Sequence, residues 1–273
     1  MAAPIVLATA LGLECRSLSR ILTDPKPLDE GIWHGTEGLL GDVRVRIACT
    51  GVGPQRAARA TEQIAATKPA AIIATGLAGA LSAAIRPGTL ILPHEIRAEH
   101  GGGGADEVSK EGADETSAEG NGEKTLHPAA ELLATARASI GGDRISTTTG
   151  RLVSVAHPVT RPHQKHSLQK TSGAIAVDME SHAVLRVAEA HGVPALALRG
   201  VSDGSSDALP ELGDADPERL KTQLAIAARA LRRPVELRNL IGLALGTRRA
   251  LQRLAAAHRA LLPALARTLP PRY

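Results

Sequence analysis

The chain has almost no aromatic residues, with no phenylalanine, one tryptophan and one tyrosine among 273 residues. Its hydrophobic content of 43% therefore comes almost entirely from Ala, Leu, Val and Ile. Because these side chains are small, we expect helices packed closely on a sheet rather than a few large anchoring rings. The length fits one α/β domain with a helical appendage. Scarce aromatics also argue against nucleic-acid binding through base stacking.

Cysteine is equally scarce: Cys15 and Cys49 lie in or beside apolar segments, and neither has the spacing of a metal ligand. Free, buried cysteines are typical of a reducing compartment. No apolar run approaches the length of a membrane span. The short apolar run at the N-terminus has no basic region before it and ends at Glu14, which argues against a signal peptide. We therefore expect a cytoplasmic protein with no metal site.

Charge is unevenly distributed, although the net charge is only +4. Residues 101–124 hold seven acidic and two basic residues, and their Gly- and Ser-rich composition predicts a mobile loop, either a lid or a solvated insertion. Residues 228–273 contain ten arginines and one glutamate and predict amphipathic helices interrupted at Gly246. Such a tail can lie on an anionic membrane surface through 235–265, pack on its own domain, or form an oligomer interface. Its apolar stripe comprises Leu251, Leu254, Ala255, His258, Leu262 and Leu265.

Two acidic clusters stand where apolar runs end. Glu180 follows closely on a strand predicted over 174–177, and Asp203 follows one predicted over 195–201. Apolar residues at helical spacing predict a helix over 181–191 between them, and this strand–helix–strand unit predicts parallel strands. Ligands bind at the C-terminal ends of such strands, so we expect both carboxylates to face one crevice. Carboxylates placed there can bind sugar hydroxyls or act as general acids.

These clusters are the strongest marks of a family resemblance. The segment from Val177 to Asp203 resembles the nucleoside phosphorylase and nucleosidase superfamily, whose motifs are V-(D/E)-M-E and R-x-(I/V)-S-D. Here they read V-D-M-E at 177–180 and R-G-V-S-D at 199–203. Asp178, within the first motif, can equally be a helix cap. Other segments match in the family's order: a first strand at 5–10, Glu14, C-T-G-V-G at 49–53, T-G-L-A-G at 75–79 and R-P-G-T-L at 86–90.

The resemblance implies a fold and an activity. The fold is a three-layer α/β/α sandwich around a mixed, twisted sheet, with a catalytic domain over 1–227 and the basic helical tail over 228–273. The activity is cleavage of the N-glycosidic bond of a purine nucleoside by water or by inorganic phosphate as co-substrate, with no other cofactor. Members of the family are usually homo-oligomers, and the partner implied is a small or lipid-linked nucleoside rather than nucleic acid.

A narrower resemblance rests on D-M-E-S-H-A-V at 178–184, on Leu77 and on the Arg-rich tail. These features are similar to the hopanoid-associated phosphorylases, which implies adenosylhopane as substrate in hopanoid lipid biosynthesis, at the inner face of the membrane. The alternatives are a methylthioadenosine/S-adenosylhomocysteine nucleosidase, a purine nucleoside phosphorylase, or a non-catalytic nucleoside-binding protein. A wide, apolar 5′ pocket favours the lipid substrate.

The resemblance also assigns roles to single residues. The catalytic set is Asp203 as general acid toward adenine N7, Glu14 beside the nucleophile, and Arg199 stabilising the nucleophile's charge. The substrate-binding set is Glu180 on the ribose hydroxyls, Met179 on the ribose face, Ser202 orienting the acid, Gly79, and His157 near the base. The set expected at the nucleophile or phosphate is Gly51, Gly53 and Gly76. Two departures stand out: Leu77 replaces the usual serine, and no phenylalanine exists to stack on adenine.

Overall fold

The computed structural model describes residues 3–99, 124–141, 146–209 and 234–269. The predicted loop at 101–124, apart from Lys124, and the predicted boundary between 227 and 228 lie outside these ranges. The strands are β1 (Ile5–Thr9), β2 (Thr23–Asp29), β3 (His34–Leu40), β4 (Val43–Cys49), β5 (Ala71–Ala80), β6 (Leu90–Ile91), β7 (Glu95–Glu99), β8 (Thr147–Thr148), β9 (Arg151–Val155), β10 (Ala176–Asp178) and β11 (Ala195–Asp203). The helices are α1 (Gly12–Ser19), α2 (Pro54–Ala66), α3 (Ala130–Ile140), α4 (Pro162–Ser172), α5 (Ser181–Ala190) and α6 (Pro234–Thr268).

The described strands form one mixed sheet between two layers of helices. Buried residues of α2 and α5 pack on one face of the sheet, and buried residues of α1, α3 and α6 pack on the other. Alanines such as Ala57 and Ala60 are completely buried, as expected for a core that lacks large rings. The predicted three-layer α/β/α sandwich is confirmed.

Strand β5 is the element on which the two acidic clusters meet. β11 runs parallel to β5, from Ala195 opposite Ile72 to Asp203 opposite Gly79. β10 runs antiparallel to β5, with Val177 opposite Gly79. The prediction that the two strands are parallel is therefore wrong. β5 is ten residues long and extends past its pairing with β1, so its far end is available to a strand of opposite direction. Both clusters still arrive at the same stretch of β5.

Helix α6 is part of the core rather than a separate tail. Its buried residues pack with α1, α3 and the sheet. They are Ala250, Leu251, Leu254, Ala257, His258, Leu261, Leu262 and Leu265. The apolar stripe that could have faced a membrane is thus covered by the protein itself over 250–265, with Ala255 half-buried. Nearer the start of the helix, Ile241 and Leu245 are exposed. None of the described helices has the length and hydropathy needed to cross a membrane.

Gly246 does not interrupt α6, contrary to prediction. It marks a close approach of the helix to the sheet, because a Cβ atom at Gly246 would lie 2.0 Å from the carbonyl oxygen of Ser202. Further along, a Cβ atom at Gly200 would lie 3.0 Å from Cβ of Ala250. Glycine is needed at both positions for close packing. The helix therefore rests directly on β11, beside Asp203.

His258 fixes the same helix to β5. Its Nε2 lies 3.0 Å from Oγ1 of Thr75, the residue before Gly76. Burial lowers the pKa of His258 to about 3, so the ring is neutral. Within the described ranges its Nδ1 has no hydrogen-bond partner. Helix α6 thus contacts both β5 and β11.

Candidate active site

Arg199 of β11 lies at the centre of the acidic clusters and is 1% exposed. Its Nη2 is 2.7 Å from Oδ2 of Asp178 and 3.8 Å from Oε2 of Glu180. Its Nε donates a hydrogen bond to Oγ of Ser181 at 3.0 Å. The guanidinium therefore ties the end of β10 and the start of α5 to β11, where charge-assisted bonds are strong.

Asp178 is both a helix cap and an ion-pair partner. Its Oδ2 accepts the backbone N–H of Ser181 at the start of α5, and its Oδ1 accepts the hydroxyl of Ser154 at 2.5 Å. Ser154 in turn accepts the backbone N–H of His182. Neither Ser154 nor Ser181 was predicted at the site, because isolated serines at strand and helix ends have no distinctive pattern. Together they hold Asp178 against Arg199.

Glu180 reaches across to the turn after β4. Its Oε1 accepts the backbone N–H of Gly53 at 2.9 Å, and Gly53 has a φ of 97°. Burial raises the pKa of Glu180 to about 7; Arg199 opposes the rise, and the charge of Asp178 adds to it. The predicted glycine turn therefore binds a carboxylate of the protein through its backbone.

Glu14 of α1 lies over β5 at Gly76. Its Oε2 accepts the backbone N–H groups of Ala10 and Leu11, and its Oε1 accepts that of Leu77 at 2.7 Å. A Cβ atom at Gly76 would lie 2.6 Å from Oε1, and Gly76 has a φ of 141°, so only glycine fits. Burial raises the pKa of Glu14, and these hydrogen bonds oppose the rise. The contact between Leu77 and Glu14 uses the backbone of Leu77, whose apolar side chain offers no polar contact to a nucleophile.

Asp203 ends β11 and is 2% exposed. Its Oδ1 accepts the hydroxyl of Ser202 at 2.6 Å, and a Cβ atom at Gly79 would lie 3.1 Å from its Oδ2. The same Oδ2 lies 2.5 Å from Nζ of Lys165, which is completely buried in α4. Lys165 was not predicted, because nothing in the polar sequence of α4 distinguishes it from the exposed Lys170.

The remaining predicted residues are less enclosed. Met179 is half-buried between the two acids of its motif. Gly51 has a φ of 85° in the turn after β4, where a Cβ atom would touch Cδ of Arg56. His157 is exposed in the loop after β9. No grouping of three or more His, Cys, Asp or Glu side chains suited to a metal occurs in the described part of the chain.

The raised pKa of Glu180 predicts a specific pH dependence of stability. The folded state holds this proton up to about pH 7, whereas the unfolded chain releases it near 4.5. The free energy of unfolding should therefore fall by up to about 3 kcal/mol as the pH rises from about 4.5 through about 7. Urea titrations at several pH values measure how the free energy of unfolding depends on pH. Glu180→Gln should make this dependence weaker. Some decrease with rising pH should remain, because the pKa of Glu14 is also raised.

The matched control is Glu189→Gln, on the exposed face of α5, the helix that begins directly after Glu180. It should leave the pH slope unchanged. A slope that is identical in wild type and Glu180→Gln would contradict the assignment of the proton to Glu180.

Three comparisons relate this chain to known proteins. Residues 4–235 match the family described as phosphorylase superfamily. The chain is 27% identical over 201 residues to the 5′-methylthioadenosine/S-adenosylhomocysteine nucleosidase of Maridesulfovibrio salexigens, covering 73% of this chain and 85% of that protein. A nucleosidase of this kind from Colwellia psychrerythraea, in complex with adenine, superposes with a TM-score of 0.70 at 18% identity, covering 97% of this chain and 96% of that one.

The futalosine hydrolase of Helicobacter pylori has the same fold, with a TM-score of 0.67 at 17% identity over 98% of this chain and 99% of that one. At these identities the two solved structures show the fold alone. The family match spans most of the chain, from β1 to the start of α6. The protein therefore belongs to the phosphorylase superfamily.

Proposed function

We propose that the protein cleaves the N-glycosidic bond of a 5′-substituted adenosine with water and releases adenine. Enzymes of the superfamily to which it belongs cleave this type of bond; the adenosine, its 5′ substituent and the water are the proposal. The observation that carries it is the convergence on β5 of three buried acids, Glu14, Glu180 and Asp203. A fold that only bound nucleosides would have no need to bury so many carboxylates together.

The proposed chemistry divides between the ribose and the base. The bond between C1′ and N9 breaks, its electron pair goes to the base, and positive charge develops on the ribose. Asp203 protonates N7 so that adenine leaves as a neutral molecule. Glu180 accepts hydrogen bonds from the ribose hydroxyls, and Met179 packs on the ribose face. Ser202 keeps the carboxyl of Asp203 in one orientation through its 2.6 Å hydrogen bond.

The charge of the site favours water over phosphate as the nucleophile. The described site holds four carboxylates and two cations: Glu14, Asp178, Glu180 and Asp203 face Arg199 and Lys165. With its acids ionised, as Glu180 is above about pH 7, such a site repels a phosphate dianion and stabilises a cationic ribose. Glu14, held by three backbone N–H groups, can orient the water and accept its proton.

An apolar 5′ substituent is favoured by the edge of the sheet beside this site. Thr9 and His34 both pair with Cys49, so the loops after β1 and β4 and the tip of the β2–β3 hairpin lie side by side. Exposed apolar side chains occur at or beside all three places: Leu13 in the first turn of α1, just after the first loop, Val52 in the loop after β4, and Ile32 at the hairpin tip. Gly53, next to Val52, binds Glu180. A lipid-linked nucleoside such as adenosylhopane would cover these side chains, whereas a methylthio group is too small to do so.

Membrane contact and assembly form the finer part of the proposal. With the stripe at 250–265 buried, contact with an anionic membrane is left to the exposed Ile241 and Leu245 and their neighbouring arginines, Arg248 and Arg249. A homo-oligomer remains expected from the family resemblance.

Membrane contact is tested by cosedimentation of wild type and of the double variant Ile241→Ser/Leu245→Ser with vesicles that contain anionic lipid. Equal binding by both proteins would contradict it.

The substrate proposal is tested by adenine release from adenosylhopane, methylthioadenosine and adenosine at equal concentrations. We expect kcat/KM to be highest for adenosylhopane, and we expect Val52→Ser to reduce that preference because it removes apolar contact with the 5′ group. Ile64→Val, in the core on α2, serves as a control for general loss of packing. A preference for methylthioadenosine would refute the lipid substrate but keep the reaction.

A further inference from the structure

Lys165 is buried, and its ammonium group is fully hydrogen-bonded. All three ammonium protons have acceptors: Oδ2 of Asp203 at 2.5 Å, the carbonyl of Gly204 at 2.8 Å and the carbonyl of Asp207 at 3.0 Å. The side chain is 0% exposed. Burying a lysine is costly, so a lysine directed at a single carboxylate calls for a reason beyond packing.

The environment of Asp203 supplies that reason. A general acid must hold a proton that it can give away, yet both carboxyl oxygens of Asp203 already accept hydrogen bonds. Oδ1 accepts from Ser202, whose hydroxyl gives up protons poorly, and Oδ2 accepts from Lys165. Among the described contacts of Asp203, the ammonium of Lys165 is the group best able to hand over a proton.

We propose that Lys165 supplies the proton that Asp203 passes to the leaving base. This proposal rests on the proposed function. A proton moves from Nζ of Lys165 to Oδ2 of Asp203, and Asp203 gives a proton to N7 as the C1′–N9 bond breaks. Lys165 is left as a neutral amine and Asp203 as a carboxylate. Glu14 takes one proton from the attacking water and releases it to solvent, and Lys165 takes one up from solvent, so the proton balance closes.

Solvent can approach α4 and the turn after β11, the two elements that hold Lys165, through a neighbouring cleft. An open cleft of about 390 Å³ lies between α4 and the turn after β11. Its polar lining residues are His163, His166, Gln169, Ser205 and Ser206. The same turn carries the Gly204 and Asp207 carbonyls that hold Nζ. The cleft and the carbonyls that hold Nζ are therefore built from the same helix and the same turn. Lys165 does not reach the reacting atoms; it acts through Asp203 as a positioning residue and proton source.

The test compares two leaving groups. Adenine needs a proton to leave, whereas 4-nitrophenolate does not, so 4-nitrophenyl riboside reports on every part of the site except proton delivery. Lys165→Met should lower kcat for adenine release from the adenosine substrate by about 100-fold and should change 4-nitrophenyl riboside cleavage by less than about 3-fold. Lys165→Gln, which keeps the two N–H donors of its amide but has no charge and no acidic proton, gives the same comparison if the methionine variant does not fold. Lys170→Met, exposed on the same helix, should change neither rate.

Lys165→Arg separates proton supply from charge. A guanidinium keeps the charge and can bond Asp203, but it does not release a proton in proteins. We expect Lys165→Arg to cleave the nitrophenyl riboside and to remain slow in releasing adenine. Recovery of adenine release by arginine, or an equal loss on both substrates in every variant, would overturn the proposal. If wild type released adenine from no nucleoside, the proposed function itself would be at fault.

Discussion

Asp203→Asn is expected to lower kcat for adenine release by about 10²–10⁴-fold, the usual contribution of a general acid. The amide keeps the shape of the side chain, but it has no acidic proton, and its one oxygen can accept from only one of the two groups that bond Asp203, Ser202 or Lys165. Because we assign ribose binding to Glu180 and not to Asp203, we expect KM to change little. Steady-state kinetics with chromatographic detection of adenine gives both values.

Asp42→Asn is the matched control, since Asp42 is exposed in the turn between β3 and β4. It should keep wild-type kcat. A value of kcat for Asp203→Asn within about 3-fold of wild type would show that another group protonates the base. A rise in KM with unchanged kcat would instead assign Asp203 to binding.

Gly246→Ala is expected to cost about 3 kcal/mol of folding stability and to reduce activity at the same time. Its new Cβ atom would lie 2.0 Å from a backbone carbonyl, which cannot rotate away, so α6 must move off β11. That carbonyl belongs to Ser202, which orients Asp203. Urea unfolding measures the first effect, and adenine release under conditions where the variant is folded measures the second.

Gly242→Ala provides an internal control one turn earlier on the same helix. A Cβ atom at Gly242 would meet nothing within 4 Å, and the position is exposed. Alanine should therefore stabilise the helix by about 0.5–1 kcal/mol. If the two substitutions had equal effects, the close approach of α6 to Ser202 would not be important for stability or for the site.

The sequence predicted the parts of the site that depend on local pattern. Glu180 and Asp203 were expected where apolar runs end, and the structure places them close to strand ends, at the head of α5 and at the end of β11. The meeting of the clusters was predicted for a wrong reason, since β10 is antiparallel to β5. Strand direction depends on which partner a short strand finds, and a three-residue strand carries no information about that.

Other features could not be predicted because one residue type serves two physical purposes. A glycine within a helical pattern can break the helix or permit close packing, and only the contact between Gly246 and Ser202 distinguishes the two. An arginine-rich helix with an apolar stripe suits a membrane or a core equally well, and the burial of Leu254 and Leu262 decides for the core. The buried hydrogen bonds of Lys165 are made with residues distant in sequence, Asp203 and the turn after it.

The measurement that tests the central claim most directly is a single-turnover reaction of wild type with adenosylhopane in phosphate-free buffer made with ¹⁸O-labelled water. We predict free adenine and an equal amount of the 5′-substituted ribose carrying the label on its C1′ hydroxyl. Addition of phosphate should not increase the rate. Adenine release that requires phosphate, with a ribose 1-phosphate as product, would contradict water as the nucleophile. Absence of free adenine under all conditions, with methylthioadenosine as well, would contradict the assignment of the site.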